Sequence, residues 1–127
     1  MIFFFDEHFA RRMVRALCEV QIDCRHRLDL GPEYHADVHW LRKVGAEGWV
    51  AITQDRNILR TKHEREAVLA SGVVAFFVDK NVLTGLDDLG QLGWFARVHA
   101  NLRLTAERAK PGDCFLININ GKITSLK

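Results

Sequence analysis

Three aspartates stand where they can do chemistry together. Asp6 follows Met1-Ile2-Phe3-Phe4-Phe5, a short apolar run with the character of a buried strand. Asp55 follows Trp49-Val50-Ala51-Ile52-Thr53, a second run of the same kind. Acids just past the carboxyl ends of parallel strands sit where open sheets bind ligands. Asp37 opens a segment in which Trp40, Leu41 and Val44 share one helical face. That face packs on a sheet and points its first acid toward the strand tips. Carboxylates held close repel one another, and a divalent cation is the usual remedy.

Each acid also has a plainer role open to it. Asp6 and Asp37 can cap helices, and Asp55 can form the turn Gln54-Asp55-Arg56-Asn57. Convergence of all three on one sheet edge is harder to assign to three independent caps. Further acids lie within reach in sequence: Glu7 beside Asp6, Glu64 on a third helix, and Asp79 in Asp79-Lys80-Asn81, which reads first as a turn. Basic residues follow the same acids. Arg11 and Arg12 come after Asp6, and Arg56, Arg60 and Lys62 after Asp55. Carboxylates holding a metal, rimmed by cations that hold phosphates, suit a phosphodiester substrate. His35 and His39 have metal-ligand spacing without the context of a zinc motif, and no glycine loop fits a nucleotide fingerprint.

These residues need elements to position them, and the chain supplies a strand–helix alternation. Phe9, Met13, Ala16, Leu17 and Val20 fall on one helical face; Ile22 to His26 reads as a weak strand. A helix over 36–44 precedes the strand at 49–53, and another over 63–70 precedes a strand at 73–78. A long helix over 86–109 follows, with Leu89, Leu92, Phe95, Leu102 and Ala106 inward, stopped by Pro111-Gly112. Two strand-like runs at 114–119 and 122–126 flank Asn120-Gly121 as a hairpin. The pattern predicts a mostly parallel sheet with helices on both faces and an antiparallel edge. No internal repeat, linker or low-complexity tract stands out.

The 127 residues carry a net charge of +2 and are 48% hydrophobic, which fits one domain spanning 1–127 with a real core. The mild basicity allows a polyanionic partner without demanding one. Cys18, Cys24 and Cys114 have no ligand spacing, so reduced thiols in the cytoplasm are expected, with Cys18 and Cys114 in the core. The apolar run at the start is too short for a membrane span. The protein is expected to be soluble.

With these residues in place, the chain resembles the PIN-like nuclease family, most closely the compact proteins related to VapC-type toxins. Three stretches carry the likeness: Phe3-Phe4-Phe5-Asp6-Glu7-His8; Asp37-Val38-His39-Trp40-Leu41; and Gly48 to Ile58, continuing through Glu64-Arg65-Glu66-Ala67 to Val74-Ala75-Phe76-Phe77. The resemblance implies a three-layer, Rossmann-like fold. It implies that Asp6, Asp37 and Asp55 bind Mg²⁺ or Mn²⁺ for cleavage of RNA, with Glu7, Glu64 or Asp79 as further acids. Arg11, Arg12, Arg56, Arg60 and Lys62 would hold RNA phosphates. It further implies a cognate antitoxin partner and is compatible with a homodimer. Two departures matter. Asp37 stands where many relatives carry glutamate, and Asn57 stands where they often carry another acid. The alternative is a catalytically weak PIN-like binding or interaction protein.

Overall fold

The computed structural model describes residues 1–126, and at position 37 the backbone alone. Its six strands among these residues form one sheet in the order β2-β1-β3-β4-β5-β6. They are β1 (Phe3–Phe5), β2 (Cys24–His26), β3 (Val50–Thr53), β4 (Val74–Val78), β5 (Cys114–Ile117) and β6 (Ile123–Leu126). β1 to β5 run parallel, and β6 returns antiparallel to β5. The expected mixed architecture is therefore present, closing hairpin included.

Side chains alternate across the sheet and split the core in two. Phe3, Phe5, Ile52, Phe76 and Ile117 face α1 (Arg11–Glu19) and α5 (Asp88–Arg108). Phe4, Ala51, Ala75 and Phe77 face α2 (Asp37–Glu47) and α3 (Lys62–Ser71). All three β1 phenylalanines are fully buried. At about 1.5–3 kcal/mol each, they make the shortest of the site-bearing strands a strong anchor for Asp6.

The helices begin and end where local chemistry dictates. Thr61 caps α3 by accepting from the Glu64 amide at 3.1 Å, and Asp87 caps α5 by accepting from the Gly90 amide at 2.7 Å. α2 and α3 both stop at glycines in the left-handed region, Gly48 and Gly72, each at φ +70°. Two expectations shift. Leu89 is exposed, because the buried stripe of α5 runs through Gln91, Phe95, Val98, Leu102 and Ala106, and Leu89 lies across the helix from it. Cys18 is also exposed, since α1 buries Met13, Val14 and Leu17 instead.

Two topological features shape the functional edge. From β1 the chain steps first to β2 on one side, then across to β3 on the other. The carboxyl ends of β1 and β3 therefore flank the switch point, where open sheets have their crevice. The steps β3→β4 and β4→β5 move the same way across the sheet, yet α3 and α5 cover opposite faces. These two crossovers are of opposite hand, against the near-uniform preference for one hand. A short helix, α4 (Lys80–Leu83), precedes α5.

Candidate active site

Asp6 leaves β1 beside β3, its amide donating to the Ile52 carbonyl at 3.3 Å. Its side chain is buried, and donors surround it. The Gln54 amide donates to Oδ2 at 3.0 Å, and the Thr53 hydroxyl donates to the same oxygen. The His8 amide donates to Oδ1 at 3.0 Å. A carboxylate has about four acceptor sites, and among the described residues Oδ1 accepts this one hydrogen bond. The ring of His8 lies with Nδ1 3.3 Å from Asp6 Oδ2.

Thr53 couples this acid to the next. While donating to Asp6, its Oγ1 accepts from the Asp55 amide at 3.1 Å. Asp55 then caps a short 3-10 turn, Oδ1 accepting from the Asn57 amide at 2.9 Å. Asp79, one strand further on, caps α4 in the same way, Oδ1 accepting from the Asn81 amide at 2.9 Å. In both, Oδ2 makes no hydrogen bond among the described residues. Gln54 ties the two tips together, its Nε2 donating to the Lys80 carbonyl at 3.0 Å.

A cleft of about 840 Å³ opens over these tips, lined by His8, Asp55, Arg56, Asn57, Arg60, Asp79, Lys80 and Asn81, with Gln54 and Leu59. Its electrostatics are legible at His8. The hydrogen bond to Asp6 raises the His8 pKa above its ordinary value; partial burial opposes this, and the charges of Asp6, Glu7 and Asp55 add to it. Three carboxylates thus act on one point of the cleft wall, a field that attracts cations.

The residues expected from the sequence divide accordingly. Asp6, Asp55 and Asp79 follow the neighbouring strands β1, β3 and β4; Asp55 and Asp79 line the cleft, while Asp6 is buried and does not. The side chain of Asp37 lies outside the described residues; its backbone opens α2. Glu7 pairs with Arg27 at 3.2 Å, and Glu64 bonds the Thr61 hydroxyl at 3.1 Å. Arg56 and Arg60 line the cleft. Arg11 pairs with Asp29, Arg12 with Asp88 at 2.5 Å, and Lys62 with Glu66 at 3.9 Å, all away from the cleft lining. Among the described residues no three His, Cys, Asp or Glu side chains are grouped as a metal site. No helix among them is long and apolar enough to cross a membrane.

Sequence reasoning passed over His8, Thr53, Gln54 and Lys80. It also passed over Arg27, whose largely buried guanidinium reaches both Glu7 and the His35 carbonyl, joining the loop after β1 to the segment before α2. The register exposes one more feature. Val50 pairs with Val74 and Thr53 with Phe77. The same alignment sets Val50-Ala51-Ile52-Thr53-Gln54-Asp55-Arg56-Asn57-Ile58-Leu59 against Val74-Ala75-Phe76-Phe77-Val78-Asp79-Lys80-Asn81-Val82-Leu83. Five of these ten positions are identical, including both Asp and both Asn, so the chain does contain a short repeat.

Neither a curated protein nor a solved structure matches this chain. A family model described as PIN like domain matches residues 1–80, the stretch from β1 through β4 that carries every acid of the cleft. On that match, over more than half of its length, the chain belongs to the PIN-like domain family, a family of nuclease type.

Proposed function

We propose that the protein is a metal-dependent endoribonuclease, with Asp6, Asp37 and Asp55 holding Mg²⁺ or Mn²⁺. The observation that carries this reading is the cleft at the switch point, with carboxylates at the strand tips and Arg56, Arg60 and Lys80 around it. The donor chemistry fits a hard cation: among the described residues Asp6 Oδ1 accepts one hydrogen bond and Asp55 Oδ2 none, and a negative field is felt at His8. When bound, the cation supplies Lewis-acid stabilisation of the phosphate and a more acidic water.

The chain's own residues do the remaining work. Thr53, Gln54 and the His8 amide hold the Asp6 carboxylate in one orientation, so it needs little reorganisation on binding. Arg56, Arg60 and Lys80 neutralise and position the phosphates. A single or looped strand can bring its backbone into such a cleft more easily than a duplex. Within this reading, the narrower role is that of a VapC-type toxin restrained by a cognate antitoxin.

The test is cleavage of a labelled single-stranded RNA. Cleavage should need Mg²⁺ or Mn²⁺, stop with chelator and vanish in Asp6→Ala, with calorimetry showing weaker Mn²⁺ binding in Asp55→Asn. Activity that survives both chelator and Asp6→Ala would remove the metal mechanism. Intact RNA in the presence of bound Mn²⁺ would favour a PIN-like interaction protein, a reading supported by the extensive internal hydrogen bonding of Asp6. Expression of the wild type should arrest growth, and Asp6→Ala should relieve the arrest; unaffected growth would sink the toxin role.

A further inference from the structure

The repeat at the tips of β3 and β4 has a use that metal binding does not explain. Both copies carry aspartate, a cation and asparagine in sequence: Asp55-Arg56-Asn57 and Asp79-Lys80-Asn81. Both fold alike, with the aspartate Oδ1 accepting from the asparagine amide at 2.9 Å. All six residues line the one cleft. Because the cap uses the backbone amide of each asparagine, both carboxamide heads stay free. Asn57 and Asn81 are exposed and make no side-chain hydrogen bond among the described residues. Two like units on neighbouring parallel strands suit a ligand that is itself a repeat.

We propose that the twin turns form two adjacent subsites for consecutive nucleotides of single-stranded RNA, with adenine favoured at both. This rests on the ribonuclease reading and names its substrate more narrowly. Arg56 and Lys80 take phosphates; Asn57 and Asn81 read base edges. Neighbouring strands lie about 4.8 Å apart and diverge with twist. Stacked bases lie about 3.4 Å apart, so bases presented to the two units are splayed as single-stranded bases can be. A cleft of about 840 Å³ has room for more than one nucleotide.

The preference for adenine follows from the carboxamide, which offers one donor group beside one acceptor. Adenine presents the matching acceptor and donor on two edges, N1 with N6 and N7 with N6. Cytosine and uracil present a match on the pairing edge alone, and the N7–O6 edge of guanine offers two acceptors. Asparagine to adenine is accordingly among the recurrent specific contacts.

The experiment is fluorescence anisotropy with labelled A10, U10 and C10 RNA, with chelator present to prevent cleavage. The wild type should bind A10 at least about fivefold more tightly than U10 or C10, the low end for a specific base contact. Asn57→Ala and Asn81→Ala should each erode that ratio, and the double variant should bring it close to one. Both keep the backbone amide of the cap, so both should melt like the wild type. Arg56→Ala and Lys80→Ala should weaken all three RNAs alike and reduce the salt slope by about 0.7 each. Equal affinity for the three RNAs, no binding to any, or a preference that survives the double variant overturns the proposal. The two readings separate cleanly. Metal-dependent cleavage without base preference leaves the ribonuclease and removes the subsites. Adenine preference that both Asn substitutions erase, in a protein that never cleaves, does the reverse.

Discussion

Thr53→Val tests whether one hydroxyl organises the site. Thr53 is buried, and its Oγ1 bridges two acids, donating to Asp6 and accepting from the Asp55 amide at 3.1 Å. Valine keeps the shape and removes both bonds. A hydrogen bond to a charged acceptor contributes about 1.5–3 kcal/mol, and an orphaned amide costs about 1–3 kcal/mol when buried. Asp55 is half-buried, so its term sits at the low end. The sum is about 2–4 kcal/mol. At about 4 °C per kcal/mol for a chain of this size, the melting temperature should fall by roughly 8–16 °C. Thermal unfolding followed by circular dichroism reads this directly. Thr53→Ser keeps the hydroxyl and should recover most of the loss. A fall below about 2 °C for the valine variant, or an equal fall for serine, would refute the bridging role and leave Thr53 as a packing residue.

Three further outcomes are expected. Asp55→Asn should raise the melting temperature of the metal-free protein while abolishing cleavage, because it removes repulsion near Asp6 and asparagine can still cap the turn; a clear drop would make Asp55 a structural acid. The His8 imidazole should titrate above its ordinary value near 6.5 by NMR, and Asp6→Asn should bring it down. With the folded pKa raised, the stability His8 contributes is full below its ordinary value of about 6.5 and is lost as pH rises from there through the raised folded pKa; a titration at or below 6.5 in the wild type contradicts the geometry. Gly45→Ala should destabilise by about 1–3 kcal/mol in urea unfolding, because a Cβ there meets the Ser71 carbonyl oxygen at 2.1 Å and forces α2 from α3; a neutral result would mean the helices yield freely.

What was legible in the sequence follows from range. β1, β3 and β4 announce themselves as dense apolar runs, so the acids that follow them are visible at once. β2 does not: a three-residue edge strand needs only Cys24 and His26 buried, and Arg25 between them points out. The partners of Asp6 were illegible because they lie 47 and 48 residues away, and only the β1–β3 register brings Thr53 and Gln54 to it. Arg11 and Arg12 follow Asp6 closely in sequence, yet α1 carries them to Asp29 and Asp88. Lys80 reaches the cleft from an unremarkable turn, because β4 lies directly beside β3. The repeat escaped notice for a similar reason. Its two copies agree at only five of ten positions, with Thr53 and Gln54 answered by Phe77 and Val78, and strand pairing is what sets them side by side.

The opposite-handed crossover also sets an order of events during synthesis. Helices α2 and α3 both lie between β2 and β4 in sequence, so one face of the sheet can close once β4 has emerged. The other face, with Phe3, Phe5, Ile52 and Phe76, is completed by α5, which ends at Arg108. At about 5–20 residues per second, roughly 5–20 s separate the emergence of β1 from that of α5. From its own emergence, the edge of β4 is without β5 until α5 has been made, because β5 follows that helix in sequence. Between the emergence of β4 and that of α5, about 30 residues, the sheet is covered on one face and incomplete on the other, an interval of roughly 1.5–6 s at the same rate.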